Sequence, residues 1–325
     1  MLEYILLGVG IIFLIKGADF LVEGSSSLAK KFGVSSLIIG LTVVAFGTSM
    51  PELIVNVIAA INGTGDVAFG NIIGSNMSNI LLILGVSALI MPLVVKRSTT
   101  WKEIPFSLLA VMVLLVFGNT VLLDGFKIDY LLRAEGLVLL FLFIIFLYYA
   151  FGMTRQSQTE GQNEVETTDN NVKKRSGWQI ALLIGAGLAG LYFGGQWTVN
   201  GAVAIAKVLG LSEYLISATI IAVGTSLPEL ITSITAVLKK NVDLAVGNVV
   251  GSNIFNILWI LGLTATIRPL PFPTQINFDL LMLVLATFLL FVFMFIGKRH
   301  QLQRWQGGVF VALYAIYIVV LIYRG

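Results

Sequence analysis

The chain has 325 residues, 57% of them apolar and 11% charged, with a mean hydropathy of +0.95 and a formal net charge of +3. So few polar side chains cannot close a water-facing surface, so the composition excludes a soluble domain and calls for a bilayer. There is no cysteine, which excludes disulfides, thiolate metal sites and cysteine nucleophiles.

Apolar runs of about 20 residues, each long enough to cross a hydrocarbon core of roughly 30 Å, recur along the chain. Ten are expected, at 4–28, 34–61, 67–91, 103–123, 130–151, 178–205, 213–238, 242–267, 276–297 and 306–323. They are apolar on all sides and twice the length of a barrel strand, so helices are expected and a β-barrel is not. The first run has no basic leader or small-residue cleavage pattern, so it reads as a retained helix. Lys16, Asp19 and Glu23 lie within it at i, i+3 and i+7, the spacing of a local ion pair.

Basic residues cluster between the spans, where they report topology rather than a nucleic-acid surface. With the N-terminus outside, the inner connections hold fourteen of them, including Lys30, Lys31, Lys96, Arg97, Lys102, Lys239, Lys240, Lys298, Arg299 and Arg304. The outer side holds Lys127, Arg133, Lys207, Arg268 and Arg324. Both termini are therefore expected outside. The polar stretch 152–177, ending in a basic run, is expected to be a cytoplasmic linker.

Shifting the sequence by 177 residues aligns Gly17 with Gly194, Glu52 with Glu229, Asn79 with Asn256 and Pro92 with Pro269. Between Thr42 and Pro92 the two copies agree at 26 of 51 positions without a gap, so the chain is an internal duplication. Five spans per copy is an odd number, so the second copy enters the membrane inverted, as in many secondary transporters. The expected architecture is an all-α polytopic membrane protein of ten transmembrane helices in two inverted five-helix repeats. The units are 1–151, the linker 152–177, and 178–325.

Each copy carries two polar segments on consecutive helices: GTSMPE (47–52) with GNIIGSNMSN (70–79), and GTSLPE (224–229) with GNVVGSNIFN (247–256). Pro51 and Pro228 lack an N–H, so the carbonyls of Gly47 and Gly224 lose their helical partners. Backbone freed in this way inside a bilayer must face protein, water or an ion. Thr48, Ser49 and Glu52 share one side of the bent helix, as do Thr225, Ser226 and Glu229. Asn71, Ser75 and Asn79 form a stripe on the next helix, repeated as Asn248, Ser252 and Asn256. All are oxygen donors. Such a set suits a hard cation such as Ca²⁺, and it disfavours transition metals. Two carboxylates also balance one Ca²⁺ or, in part, several Na⁺.

The paired motifs in two inverted repeats resemble the alpha-repeats of the calcium/cation antiporter superfamily, and within it the prokaryotic sodium/calcium exchangers. The resemblance covers nearly the whole chain. It implies that Glu52, Glu229 and the carbonyls of Thr48 and Thr225 surround Ca²⁺, and that Ala45, Ser49, Ser75, Ala222, Ser226 and Ser252 add Na⁺ positions. Ca²⁺ and Na⁺ are then transported substrates, and no cofactor or enzyme activity is expected. Some relatives, the potassium-dependent exchangers among them, have Asp where this chain has Asn256. The Asn79 and Asn256 pair instead matches animal sodium/calcium exchangers and implies potassium-independent exchange. The function implied is Na⁺/Ca²⁺ antiport across the cell membrane by alternating access to a midplane site, as helices 1 and 6 move against the core. The alternative is a Ca²⁺/H⁺ antiporter of the same superfamily. A channel fits inverted repeats less well, and the residue sets of intramembrane proteases are absent.

Other polar residues have structural readings. Asn76 and Asn253 lie off the stripe and read as interhelical hydrogen bonds, and Gly70, Gly74, Gly247 and Gly251 as close helix contacts. Asp66 and Asp243 read as helix N-caps. His300, beside Lys298 and Arg299, reads as solvated.

Overall fold

The computed structural model describes residues 2–121, 129–160, 175–210 and 222–324. Its helices are α1 (Leu2–Phe32), α2 (Ser36–Thr48), α3 (Met50–Asn62), α4 (Gly65–Ile90), α5 (Arg97–Phe117) and α6 (Arg133–Glu160). They continue with α7 (Gly177–Val208), α8 (Leu227–Leu238), α9 (Val242–Ile267), α10 (Ile276–Phe293) and α11 (Arg304–Arg324). Among the described residues, eight helices are long and apolar enough to cross a bilayer, and the bent pair α2 and α3 makes a ninth. The seventh expected span, 213–238, begins outside the described residues and contributes the short turn Ala222–Gly224 and α8. Helix α6 runs beyond residue 151 into the expected linker, most of which lies outside the described residues.

Burial separates the helices into a centre and a perimeter. Helices α4 and α9 are 78% and 94% buried over their apolar windows, against 22–39% for the other long helices. The perimeter therefore turns large apolar side chains such as Ile12, Phe141, Leu285 and Ile316 outward, the pattern of a protein dissolved in lipid. Small residues admit the close approaches at the centre. A Cβ on Gly40 of α2 would lie 2.6 Å from the carbonyl oxygen of Leu244, and one on Gly251 of α9 would lie 2.7 Å from that of Leu41. Gly247 and Gly251 thus pack as expected. The packing expected at Gly70 and Gly74 falls against the segment equivalent to α2, which lies mostly outside the described residues.

Helices α1 and α7 form the most intimate pair, through glycines spaced by seven. Gly10, Gly17 and Gly24 on α1 stand 177 residues before Gly187, Gly194 and Gly201 on α7. A Cβ on Gly17 would come 2.7 Å from the Leu191 nitrogen, and one on Gly194 would come 2.7 Å from the Leu14 nitrogen, the reciprocal contact. Backbone on backbone leaves no room for any side chain at these positions.

The ends of the helices repeat the duplication. Gly63 closes α3 with φ +75°, and its equivalent Lys240, just past the C-cap of α8, has φ +60°, a left-handed conformation that costs a non-glycine residue roughly 1–2 kcal/mol. Two short antiparallel ladders were not anticipated. β1 (Leu93–Val94) pairs with β4 (Gln301–Leu302), and β2 (Tyr130–Leu131) pairs with β3 (Leu270–Pro271). Each ladder joins a strand of one copy to a strand of the other.

Several polar expectations are corrected. Asp19 pairs with Lys239 at 2.9 Å and Glu23 with Arg175, rather than with Lys16, because their side of α1 faces the ends of α8 and α7. Asp66 and Asp243 sit in the first turns of their helices without capping them; the cap of α9 is Asn241, whose side chain accepts from the Leu244 N–H. Asp243 instead meets Lys96 at 2.9 Å. His300 is half-buried, with Nδ1 3.0 Å from the Thr100 hydroxyl and its ring against Phe295.

Candidate functional site

The site begins at two matched helix breaks. Helices α2 and α3 meet at 48°, and Ser49 between them has φ −83° and ψ 8°. Ser226, before α8, has φ −86° and ψ 5°, the same sparsely populated bridge conformation. Proline follows two residues on in each case and opens the next helix, where a missing N–H costs nothing. Glu52 and Glu229 therefore lie in first helical turns, among N–H groups whose dipoles favour negative charge.

Both glutamates are fully enclosed, Glu52 being 0% and Glu229 1% exposed. Hydroxyls from both copies converge on them. Ser75 donates to Glu52 Oε1 at 3.1 Å, while Ser49 donates to Glu229 Oε1 at 3.1 Å and Ser252 approaches the same oxygen at 3.5 Å. The Thr225 hydroxyl lies 3.5 Å from that of Ser75. Thr48 Oγ1 is 3.1 Å from both Asn248 Oδ1 and the Val44 carbonyl, so its one proton chooses between the other copy and its own helix. The Ala45 carbonyl accepts from the Ser49 N–H at 3.1 Å, and Ala222 stands at the first described residue of the equivalent turn.

Asn79 and Asn256 enter a different arrangement. Asn79 Nδ2 donates to Asn253 Oδ1 at 2.9 Å, and Asn256 Nδ2 donates to Asn76 Oδ1 at 2.9 Å. Asn76 also donates to the Asn253 carbonyl at 3.3 Å. These four asparagines tie α4 to α9, and Asn76 and Asn253 serve as the interhelical bonds the sequence suggested. Turns of π-helix, Ser78–Ile83 and Phe255–Leu261, begin here and widen both helices at equivalent places.

The chemistry is carried by the oxygens left over. Glu52 Oε2, Glu229 Oε2, Asn79 Oδ1, Asn256 Oδ1 and Ser226 Oγ are buried without a hydrogen-bond partner among the described residues. Each such group costs about 1–3 kcal/mol, and more if charged, so a cluster of acceptors is a place suited to a cation. Nitrogen and sulfur ligands are absent from this set. A cavity of about 320 Å³ opens beside the two helix breaks, lined by Thr48, Pro51, Ile54, Leu188, Tyr192 and Pro228 among others.

Two residues of this environment escaped the sequence reading. Asn56 donates to the Glu52 carbonyl at 2.9 Å, and its equivalent Ser233 accepts from Asn248 at 3.0 Å. Each stands one turn beyond its glutamate, so extending the i, i+4 spacing by a single step finds both.

An apolar bundle with paired, broken helices bringing buried carboxylates together defines a membrane transporter. The chain belongs to the sodium/calcium exchanger protein family, which matches residues 2–152 and 179–323. It is 31% identical over 347 residues to the sodium/calcium exchanger MaX1 of Methanosarcina acetivorans, covering 99% of both chains. It is 40% identical over 266 residues to the inner membrane protein YrbG of Escherichia coli, covering 81% of this chain and 79% of that one. Among solved structures, the sodium-calcium exchanger NCX_Mj soaked with Na⁺ and Sr²⁺ matches with a TM-score of 0.80 at 35% identity over 98% of each chain. This is a family of transporters rather than enzymes.

Proposed function

We propose that the protein exchanges Na⁺ for Ca²⁺ by alternating access to one site built on Glu52 and Glu229. The observation that carries this reading is the cross-copy convergence of hydroxyls on two enclosed carboxylates that each keep one oxygen unpartnered among the described residues. Around them, Ser49, Ser75, Ser226, Ser252, Thr48 and Thr225 supply hydroxyl or carbonyl oxygen, and Ala45 and Ala222 supply carbonyls. Asn79 and Asn256 contribute the free side of their amides. Ca²⁺ takes about six to eight oxygens. Ca²⁺ neutralises both carboxylates together, and Na⁺ ions do so separately, so the two loads exclude each other.

In this reading the ten spans form inverted repeats, 1–151 and 178–325, joined by a cytoplasmic linker at 152–177, with both termini outside the cell membrane. Inversion places the two breaks back to back at mid-membrane, and the fourteen basic residues of the inner connections support that orientation.

Uptake of ⁴⁵Ca²⁺ into proteoliposomes under an imposed Na⁺ or pH gradient tests the reading. Ca²⁺ entry is expected to follow an outward Na⁺ gradient at constant pH. Entry driven by the pH gradient alone, indifferent to Na⁺, would assign the protein to Ca²⁺/H⁺ antiport.

A further inference from the structure

The two routes to the site are unequal in a way the duplication alone does not produce. On one side α1 packs along α8, and Lys239 at the end of α8 holds α1 twice. Its Nζ lies 2.9 Å from Asp19 Oδ1 and donates to the Asp19 carbonyl at 3.1 Å. Two residues on, Asn241 Nδ2 donates to the Ser26 hydroxyl at 3.1 Å. The 177-residue shift carries these four residues to Asn62, Gln196, Thr64 and Val203. No charge remains in that set. The Thr64 hydroxyl donates within its own segment, to the Ala59 carbonyl at 3.2 Å. Where α7 would cover α3, the structure has instead the cavity of about 320 Å³ between Ile54 and Tyr192.

We propose that the Asp19–Lys239 pair is a latch that closes the route beside α8 and has no charge at the equivalent positions Gln196 and Asn62 beside α3, so that the two facing states are held unequally. This rests on the alternating-access reading above. The Arg175–Glu23 pair does not serve the same purpose, because it joins the start of α7 to α1 and travels with that two-helix unit. The latch residues are 36% and 40% exposed, which decides their strength: a half-solvated pair shifts an equilibrium by up to about five-fold. A bias of that size sets a preference without trapping the carrier.

The absence of cysteine makes each route separately readable. Ile54→Cys on α3 and Ile231→Cys on α8 are equivalent positions, and each is labelled with a charged thiol reagent from either face of proteoliposomes. Asp19→Gln or Lys239→Asn installs the residue found in the other copy. Either change is expected to raise labelling of Ile231→Cys and lower that of Ile54→Cys, by up to about five-fold. High salt should shift the wild-type ratio the same way while leaving the neutral variants unmoved. The double exchange Asp19→Lys with Lys239→Asp should restore the original ratio. An unchanged ratio in the neutral variants overturns the latch. So does a double exchange that behaves like the neutral variants, since packing rather than charge would then be responsible. The labelling ratio is measured without transport, so Na⁺-independent flux in the wild type counts against the exchanger reading alone.

Discussion

The hydroxyl of Ser49 donates to the carboxylate of Glu229 across 180 positions of sequence, at 3.1 Å. Each helix break thus completes the surroundings of the other copy's acid. Removing that hydroxyl by Ser49→Ala should lower apparent Ca²⁺ affinity about tenfold, the scale of a hydrogen bond to a charged group. Glu52→Gln and Glu229→Gln should each abolish Ca²⁺ exchange while leaving the protein folded. Isothermal titration and ⁴⁵Ca²⁺ flux measure these, and Glu→Gln variants that exchange at wild-type rates would remove the site from these two residues.

Asn256→Asp keeps the side chain's size and adds a third carboxylate. Like charges at close range in a poorly solvated place resist joint ionisation. Exchange should therefore become sensitive to pH, falling as pH falls, or recruit a further monovalent cation such as K⁺. The change also replaces the donor to Asn76 Oδ1 by an acceptor, so some loss of stability is expected. Flux against pH, with and without K⁺, for Asn256→Asp and Asn79→Asp measures the effect. Profiles identical to the wild type would mean that neither asparagine faces the cation.

The glycine seam between α1 and α7 predicts a sharp contrast between the two faces of α7. Gly187→Val places atoms where a Cβ would already be 2.6 Å from the Leu21 nitrogen. Overpacking of this kind costs about 1–3 kcal/mol, so the melting temperature should drop by several degrees. Gly185→Ala on the same helix meets nothing within 4 Å among the described residues and should be neutral. Equal melting temperatures for the two variants would contradict the backbone contact.

Orientation is open to direct measurement. Single cysteines at Asn62 and Gln275 should react with an impermeant reagent from outside intact cells, and those at Ser98 and Gln162 only after permeabilisation. Outside labelling of Gln162 would reverse the topology and undo the inverted-repeat reading.

The duplication, the breaks at Pro51 and Pro228 and the placing of Glu52 and Glu229 beside them were legible because each is a local chemical fact stated twice. The partners of Asn79 and Asn256 were not. A stripe counted at 3.6 residues per turn assumes a regular helix, and the π-helical turns that begin at Ser78 and Phe255 change that count where it matters. The Asp19 partner was hidden for another reason: Lys16 is three residues away in sequence, whereas Lys239 arrives only through tertiary packing. Two-residue strands such as Leu93–Val94 carry no periodicity to read.

Those strands bear on how the molecule is made. Leu93 at the end of α4 has its ladder partner in Leu302, and Leu131 before α6 has its partner in Leu270. The first half of the chain therefore leaves the ribosome with its strand edges unmatched, and must wait in the membrane until Gln301–Leu302 has been translated. Two halves that exchange edges in this way are clasped rather than merely apposed. A duplicated gene product of this build gains its finished form only as a pair.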